Sequence, residues 1–319
     1  MSRPHVVAPS ELSALRDLEL ATHATVEGLR QGLHRSPFHG YSAEFSQYRH
    51  YRPGDDLKYV DWKALARTNR IYTRQFRETT NLNALFVVDV SRSMDFPQGK
   101  PKGLPPPLAE GLPPPVGGDK PSGLSKTKFA FAQAVAAILG TLVLDQGDGA
   151  GVLAVDDRVH LVPPRSGHHH LRIFLSQVAT LSPLGTVPVY EALRRAASVL
   201  KRRGLVVLIS DLYEEHRTLA EVSRLARMGH DVVVIHTLSR QELTLAVGGA
   251  AEIVDLETGR SLMVQASAVR ASYLSAVQAW LESIEKKLAG EGLDYLRLVS
   301  DEPLEPALRR FLVSRRRSR

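Results

Sequence analysis

The chain has 319 residues, 43% of them hydrophobic and 24% charged, which suffices to bury a sizeable core as one large domain or one domain plus a smaller one. It contains no cysteine, which excludes disulfides, thiolate catalysis and zinc–sulfur sites and fits a reducing cytoplasm. The N-terminal stretch lacks an apolar core and a small-residue cleavage site, and no run approaches about 18 uninterrupted apolar residues, so neither a signal peptide nor a membrane span is expected and the localisation expected is cytoplasmic.

In chain order, residues 10–31 read as an amphipathic helix marked by Leu12, Leu15, Leu18 and Val26. Residues 43–51 and 70–77 alternate as strands do, with the turn-rich tract Arg52-Pro53-Gly54-Asp55-Asp56 between them. These elements predict a small α+β portion over 1–82. Asp55, Asp56 and Asp61 form an acidic cluster whose spacing on a Pro-Gly turn suits backbone capping better than metal binding. Trp62 and Arg67 are expected to anchor this portion against a sheet.

From residue 83 the pattern changes. Ala84–Val88 is a continuous apolar run, as in a parallel strand buried on both faces. There follow a helix over 129–144, strands over 151–155 and 158–162 in a hairpin, and helices over 170–181 and 189–201. Then come a buried strand over 205–210, a helix over 217–228 and a strand over 231–236. Short strands near 252–256 and 261–265 flank the turn Glu257-Thr258-Gly259, and a helix over 268–289, a strand over 294–299 and a last helix over 304–314 complete the chain. Alternating strands and helices predict a parallel sheet covered on both faces. Residues 97–125 hold nine of the nineteen prolines and read as an insertion, or as a docking segment for a polyproline-binding partner. Residues 303–319 form a C-terminal helix and basic tail.

The residues that carry chemistry stand at strand ends. Asp89-Val90-Ser91-Arg92-Ser93, D-x-S-x-S, follows the first buried strand, where open α/β sheets place ligands. A carboxylate followed by two hydroxyls at alternate positions of a tight loop can aim three oxygens at one hard cation such as Mg²⁺. Thr186 stands in the loop Pro183-Leu184-Gly185-Thr186 before a helix, and Asp211 ends the strand over 205–210. Each also has a plainer reading, as a helix cap or a turn former.

This order, D-x-S-x-S, then a loop threonine, then a strand-terminal aspartate, resembles the metal-ion-dependent adhesion site of von Willebrand factor A domains. All five positions carry the residue type which that family uses. The resemblance implies an α/β fold, a three-layer αβα Rossmann-like von Willebrand A-type sheet over 83–302. It implies Asp89, Ser91, Ser93, Thr186 and Asp211 as metal ligands, Mg²⁺ (or Mn²⁺ or Ca²⁺) as the cofactor, and a partner's carboxylate completing the shell.

A second resemblance covers roughly residues 28–300. Gly32-Leu33-His34-Arg35-Ser36, Gly40, Glu44-Phe45, Tyr51-Arg52-Pro53-Gly54-Asp55-Asp56, Asp61-Trp62 and Ala66-Arg67-Thr68 are similar to the signature of the DUF58 family, which joins such a portion to a von Willebrand A-like domain. Many members carry N-terminal membrane helices, and this chain looks like the short soluble form. The resemblance implies a MoxR-type AAA+ ATPase as partner and a chaperone-like role in protein complex assembly or maturation.

Other functions are weaker on the residues. Gly147-Asp148-Gly149-Ala150-Gly151 precedes a strand, not a helix, so it reads as a turn and not as a phosphate loop. His168-His169-His170 reads as a solvated helix entry, with transition-metal binding as the alternative. No G-x-S-x-G elbow or Ser-His-Asp set is found, so no enzymatic activity is expected, with metal-dependent hydrolysis the alternative that would need a general base. The net charge of +7 is concentrated in part in Arg309, Arg310, Arg315, Arg316, Arg317 and Arg319, so a nucleic-acid or membrane-surface binder is a further alternative to a solvated helix end.

Overall fold

The structure is a computed structural model that describes residues 9–30, 43–52, 60–68, 70–78, 82–96 and 127–317. The insertion over 97–125, the Asp55–Asp56 turn and the end of the basic tail therefore lie outside the described residues. The chain divides into two compact units, Phe38–Leu82 and the combination of Met1–Pro37 with Asn83–Arg319.

In the smaller unit, β1 (Ala43–His50) pairs antiparallel with β2 (Tyr72–Glu78), and α2 (Trp62–Thr68) lies between them in sequence. Asp61 is buried and structural. Its Oδ1 accepts from the Ala64 amide at 2.9 Å, capping α2, and its Oδ2 accepts from the Tyr48 hydroxyl at 2.9 Å. Trp62 is 59% exposed, and Arg67 donates to the carbonyl of Lys63 one turn back.

The larger unit is α/β, with one mixed six-stranded sheet flanked by helices on both faces. Its strands are β3 (Asn83–Val88), β4 (Gly149–Val155), β5 (Val159–Arg165), β6 (Leu205–Ser210), β7 (Asp231–Leu238) and β10 (Asp294–Val299), in the order β10-β7-β6-β3-β4-β5. The sheet is parallel except at one edge, where β4 and β5 form the expected hairpin. β5 runs antiparallel at one edge because only three residues separate it from β4, too few for a crossover.

Side chains of β3 alternate between the two faces. Leu85 and Val87 join a core with α5 (Val189–Val199), α6 (Glu215–Arg227) and α8 (Ala266–Gly290). Phe86 points the other way, with its ring 5.6 Å from that of Phe174 on α4 (His168–Thr180), beneath α3 (Lys128–Asp145). α3 is apolar all round because it is buried all round. By length and composition it could cross a membrane, but 83% of it lies inside the protein. A Cβ on Gly140 would come within 2.3 Å of the Phe174 ring, so this glycine lets α3 and α4 meet. The N-terminal helix α1 (Pro9–Arg30) packs in this unit, on α3, α4 and the C-terminal helix α9 (Leu304–Arg317).

β8 (Ala250–Val254) and β9 (Ser261–Gln265) form a separate two-stranded ribbon, preceded by the short α7 (Arg240–Thr244). The chain builds the sheet outward from β3, first to β4 and β5, then back across to β6, β7 and β10. The order therefore reverses between β3 and β6, and their carboxyl ends form the crevice where such sheets bind ligands.

Candidate metal centre

β3 and β6 pair with Val88 opposite Ile209, so each strand reaches its carboxyl end at the same level. The Asp89 amide continues the ladder, donating to the carbonyl of Ile209 at 3.0 Å. This register puts Asp89 beside Ser210 and Asp211. The Ser210 hydroxyl donates to Asp89 Oδ2 at 2.5 Å, and the Ser91 amide donates to Asp89 Oδ1 at 3.0 Å. After Ser91 a 3-10 turn, Arg92–Asp95, folds Ser93 back toward the strand end. The two serine hydroxyl oxygens then lie 3.1 Å apart. Two adjacent ligands of an octahedral ion at about 2.1 Å would be separated by roughly 3.0 Å.

The threonine loop reaches the same place by backbone pairing. The Gly185 amide donates to the carbonyl of Val90 at 2.8 Å, and Ser91 bridges to Gly185 in parallel fashion. A Cβ on Gly185 would stand 2.9 Å from that carbonyl, so only glycine permits this approach. Thr186 is thereby delivered to a cavity of about 260 Å³ that Asp89, Ser91, Tyr213, Glu214 and Glu257 also line. Its hydroxyl is 3.5 Å from Asp157 Oδ1, at the outer limit of a hydrogen bond. Ser93 and Asp211 stand behind this wall. The Ser93 side chain is close enough to Asp211 to help lower its carboxyl. All five residues singled out from the sequence are thus brought to one strand-end crevice, three on the cavity wall and two behind it.

The two aspartates are shifted in opposite directions from the ordinary carboxylate range. Burial, and then the neighbouring charge of Asp211, push the Asp89 carboxyl up to about 6. Burial also acts to raise Asp211. The charge and hydrogen bond of Lys128, with the Ser93 side chain and a bond from the Tyr213 amide, outweigh it and hold Asp211 below the usual carboxylate range. Lys128 Nζ lies 2.9 Å from Asp211 Oδ2 and 2.6 Å from Glu242 Oε1, and its side chain is 1% exposed. Burial acts to lower the Lys128 ammonium, but the two carboxylates outweigh it and raise it. Beneath lies His236, which burial pushes down to about 4 and so keeps neutral. The Asp211 carbonyl, 3.0 Å away, can only accept, so His236 Nε2 carries the proton and Nδ1 accepts from the Tyr295 hydroxyl at 2.9 Å.

The donor set fits a hard divalent cation. Its oxygens are a carboxylate and hydroxyls, as Mg²⁺ prefers. Asp211 and Glu242 share one ammonium, and no cationic side chain bonds Asp89 among the described residues. Among the described residues no three His, Cys, Asp or Glu side chains come together to hold a metal by themselves, so the fit depends on Ser91, Ser93 and Thr186.

Sequence reasoning missed Lys128, Ser210, Glu242 and Glu257. For Lys128 a signal existed: a lysine in the first turn of an otherwise apolar helix opposes the helix dipole and implies a buried acidic partner. Ser210 and Glu242 carried no signal beyond adjacency to Asp211 and to a capping serine, and Glu257 carried none. Two expectations are corrected. His170 is buried and 2.7 Å from the carbonyl of Ala150, so it is a core residue and not part of a solvated entry. Arg315 in the basic tail is buried between Asp231 and Asp294, and Arg309 pairs with Glu305.

A family model described as "Protein of unknown function DUF58" matches residues 47–102 and 121–282. The chain belongs to the DUF58 family. A relative that aligns over nearly all of this chain is the uncharacterized protein Rv1480 of Mycobacterium tuberculosis, 28% identical over 326 aligned positions that cover 99% of this chain and 93% of that protein. The uncharacterized protein YeaD of Bacillus subtilis is 22% identical over 190 positions, covering 59% of this chain and 39% of YeaD. Among solved structures, the conserved hypothetical protein BatB of Bacteroides thetaiotaomicron aligns with 74% of this chain and 99% of its own at a TM-score of 0.44 and 15% identity. An aerotolerance-related membrane protein of Bacteroides fragilis aligns with 75% of this chain and 100% of its own at 0.41 and 16%.

Proposed function

We propose that the larger unit is a von Willebrand A-type domain, and that it binds a protein partner by gripping a carboxylate through a divalent cation held by Asp89, Ser91, Ser93, Thr186 and Asp211. The observation that carries this reading is the pair of hydroxyl oxygens of Ser91 and Ser93, 3.1 Å apart at the C-terminal edge of β3, beside a buried carboxylate with no cationic side chain bonded to it among the described residues.

The chain's own residues divide the work. Asp89 supplies negative charge in a low-dielectric place, where attraction for a cation is strong. Ser91 and Thr186 line the wall with neutral oxygens. Asp211, kept ionised by Lys128, places a negative charge beside the Ser93 hydroxyl and biases its orientation from behind. His236 and Tyr295 fix the backbone of Asp211 in turn. A bound Mg²⁺ or Mn²⁺ would supply a positive coordination position open to an incoming carboxylate.

The reading extends to a cytoplasmic adaptor without catalysis, working beside a MoxR-type AAA+ ATPase in protein complex assembly or maturation. The test is a pull-down from native lysate in Mg²⁺ and in EDTA, with the wild type and Asp89→Ala. One partner should be lost both in EDTA and in the variant, and binding indifferent to EDTA sinks the reading. Turnover of phosphate or ester substrates that disappears in Asp211→Ala would favour a hydrolase instead.

A further inference from the structure

The cavity at the strand ends is roofed by a turn of the β8–β9 ribbon. Asp255 builds this turn. Its Oδ1 accepts from the Glu257 amide at 2.9 Å, its Oδ2 accepts from the Thr258 hydroxyl at 2.6 Å, and its carbonyl accepts from the Gly259 amide at 2.8 Å. Gly259 takes φ +70°, which closes the turn without strain. The Tyr213 hydroxyl, 3.4 Å from Asp255 Oδ2, ties the turn to the loop after β6. Glu257 therefore leaves a preorganised turn, and its side chain lines the cavity with Asp89, Ser91 and Thr186.

Its destination is specific. Glu257 Oε1 accepts from the Ser93 amide at 2.7 Å, across 164 residues of sequence. That amide belongs to the third position of the D-x-S-x-S loop. Oε2 accepts no hydrogen bond among the described residues. A carboxylate is strongly hydrated, so bringing another acid beside buried Asp89 and Asp211 is unfavourable unless a cation compensates it. Glu214 lines the same cavity, but none of its side-chain oxygens bonds the metal loop among the described residues.

Building on the proposed metal site, we propose that Glu257 is the chain's own carboxylate ligand for that cation. It fills the coordination position a partner's carboxylate would take, so a partner binds by displacing it and the β8–β9 turn is a built-in competitor. The ribbon carries an exposed apolar surface in Leu262 and Met263, 66% and 67% exposed, next to the segment that must move.

The test uses Mn²⁺ as the probe and water-proton relaxation as the readout, which counts the exchangeable waters on the bound ion. In the wild type Glu257 excludes one water, and excess acetate changes little. In Glu257→Ala the bound Mn²⁺ gains one water's share of relaxivity, and acetate removes it by taking the vacated position. Glu214→Gln should behave as the wild type. Glu257 is half-buried on a turn, and unchanged thermal unfolding of the metal-free variant shows that the fold is intact. Equal relaxivity and acetate response in wild type and Glu257→Ala overturn the inference while leaving the metal site standing. So does an added water in Glu214→Gln instead. Absence of Mn²⁺ binding in the wild type overturns both.

Discussion

Both ends of the sheet carry a pair of aspartates on neighbouring strands, and the two pairs are treated differently. At the amino ends, Asp231 begins β7 and Asp294 begins β10, and Arg315 of α9 is inserted between them, hydrogen-bonded to Asp231 and 2.6 Å from Asp294. At the carboxyl ends, Asp89 follows β3 and Asp211 follows β6. Here Lys128 compensates Asp211 and turns its remaining contact to Glu242, not to Asp89. The Arg315 pair is a closed ion triad that fastens a helix to a sheet edge. The Asp89 pair is half closed, and the open half points into a cavity. A buried charge that the protein compensates itself reads as structure, and one left for something else to compensate reads as a site.

Removing each buried cation sharpens the contrast. Arg315→Met and Lys128→Met both strand carboxylates, and each should cost about 3 kcal/mol. That is a fall in Tm of several degrees for a domain of this size. The two losses should respond differently to Mg²⁺. In Lys128→Met a bound cation takes over the task of neutralising Asp211, so Mg²⁺ should raise Tm by more than it does in the wild type. In Arg315→Met the added ion should give the wild-type increment. Melting curves of the three proteins with Mg²⁺ and EDTA decide it, and equal increments in both variants break the comparison.

The pH dependence is the next largest effect. Burial and Asp211 raise Asp89 to about 6, and the proposed cation needs the ionised carboxylate. Mg²⁺ affinity, measured by calorimetry, should therefore be flat above about pH 7 and weaken about tenfold per unit below about 6, as binding must then expel a proton. A midpoint near 4 would mean that Asp89 is not desolvated in solution.

The difference between the two ends also governs what could be read from the sequence. The strand ends were legible because Ala84–Val88 and Leu205–Ile209 are continuous apolar runs, and each is followed at once by an acid or by serine and an acid. Burial on both faces and ligand placement at the carboxyl edge follow from that pattern. The compensating groups were not legible. Lys128 approaches Asp211 from 83 residues away, Glu257 reaches Ser93 from 164 away, and Arg315 reaches Asp231 from 84 away. Such pairings are set by helix packing and by the placement of a ribbon, and no local spacing encodes them. The same limit hid the role of the tail: as a run of arginines it read as solvated charge, whereas α9 turns Arg315 inward between two strand starts.

The smallest effect is the most discriminating, because its sign is opposite to that of an ordinary core substitution. A carboxyl raised in the folded state stabilises the fold most when both states are protonated. That contribution is complete below about 4 and is lost as pH rises through about 6. Metal-free protein at neutral pH therefore carries the cost of a buried anion at Asp89. Asp89→Asn removes the charge at nearly constant volume and keeps an oxygen to accept from the Ser91 amide. Its amide must donate to Ser210, whose hydroxyl has a second lone pair beside the one that accepts from Leu212, so part of the gain is offset. In EDTA the variant should be more stable than the wild type by about 1 kcal/mol at pH 7.5, with the gain shrinking to nothing as pH falls below about 4. In Mg²⁺ the order should reverse, since only the wild type binds the ion and is stabilised by it. Loss of stability in EDTA at every pH would place Asp89 with Asp231 and Asp294, as a charge whose partners within the chain already suffice.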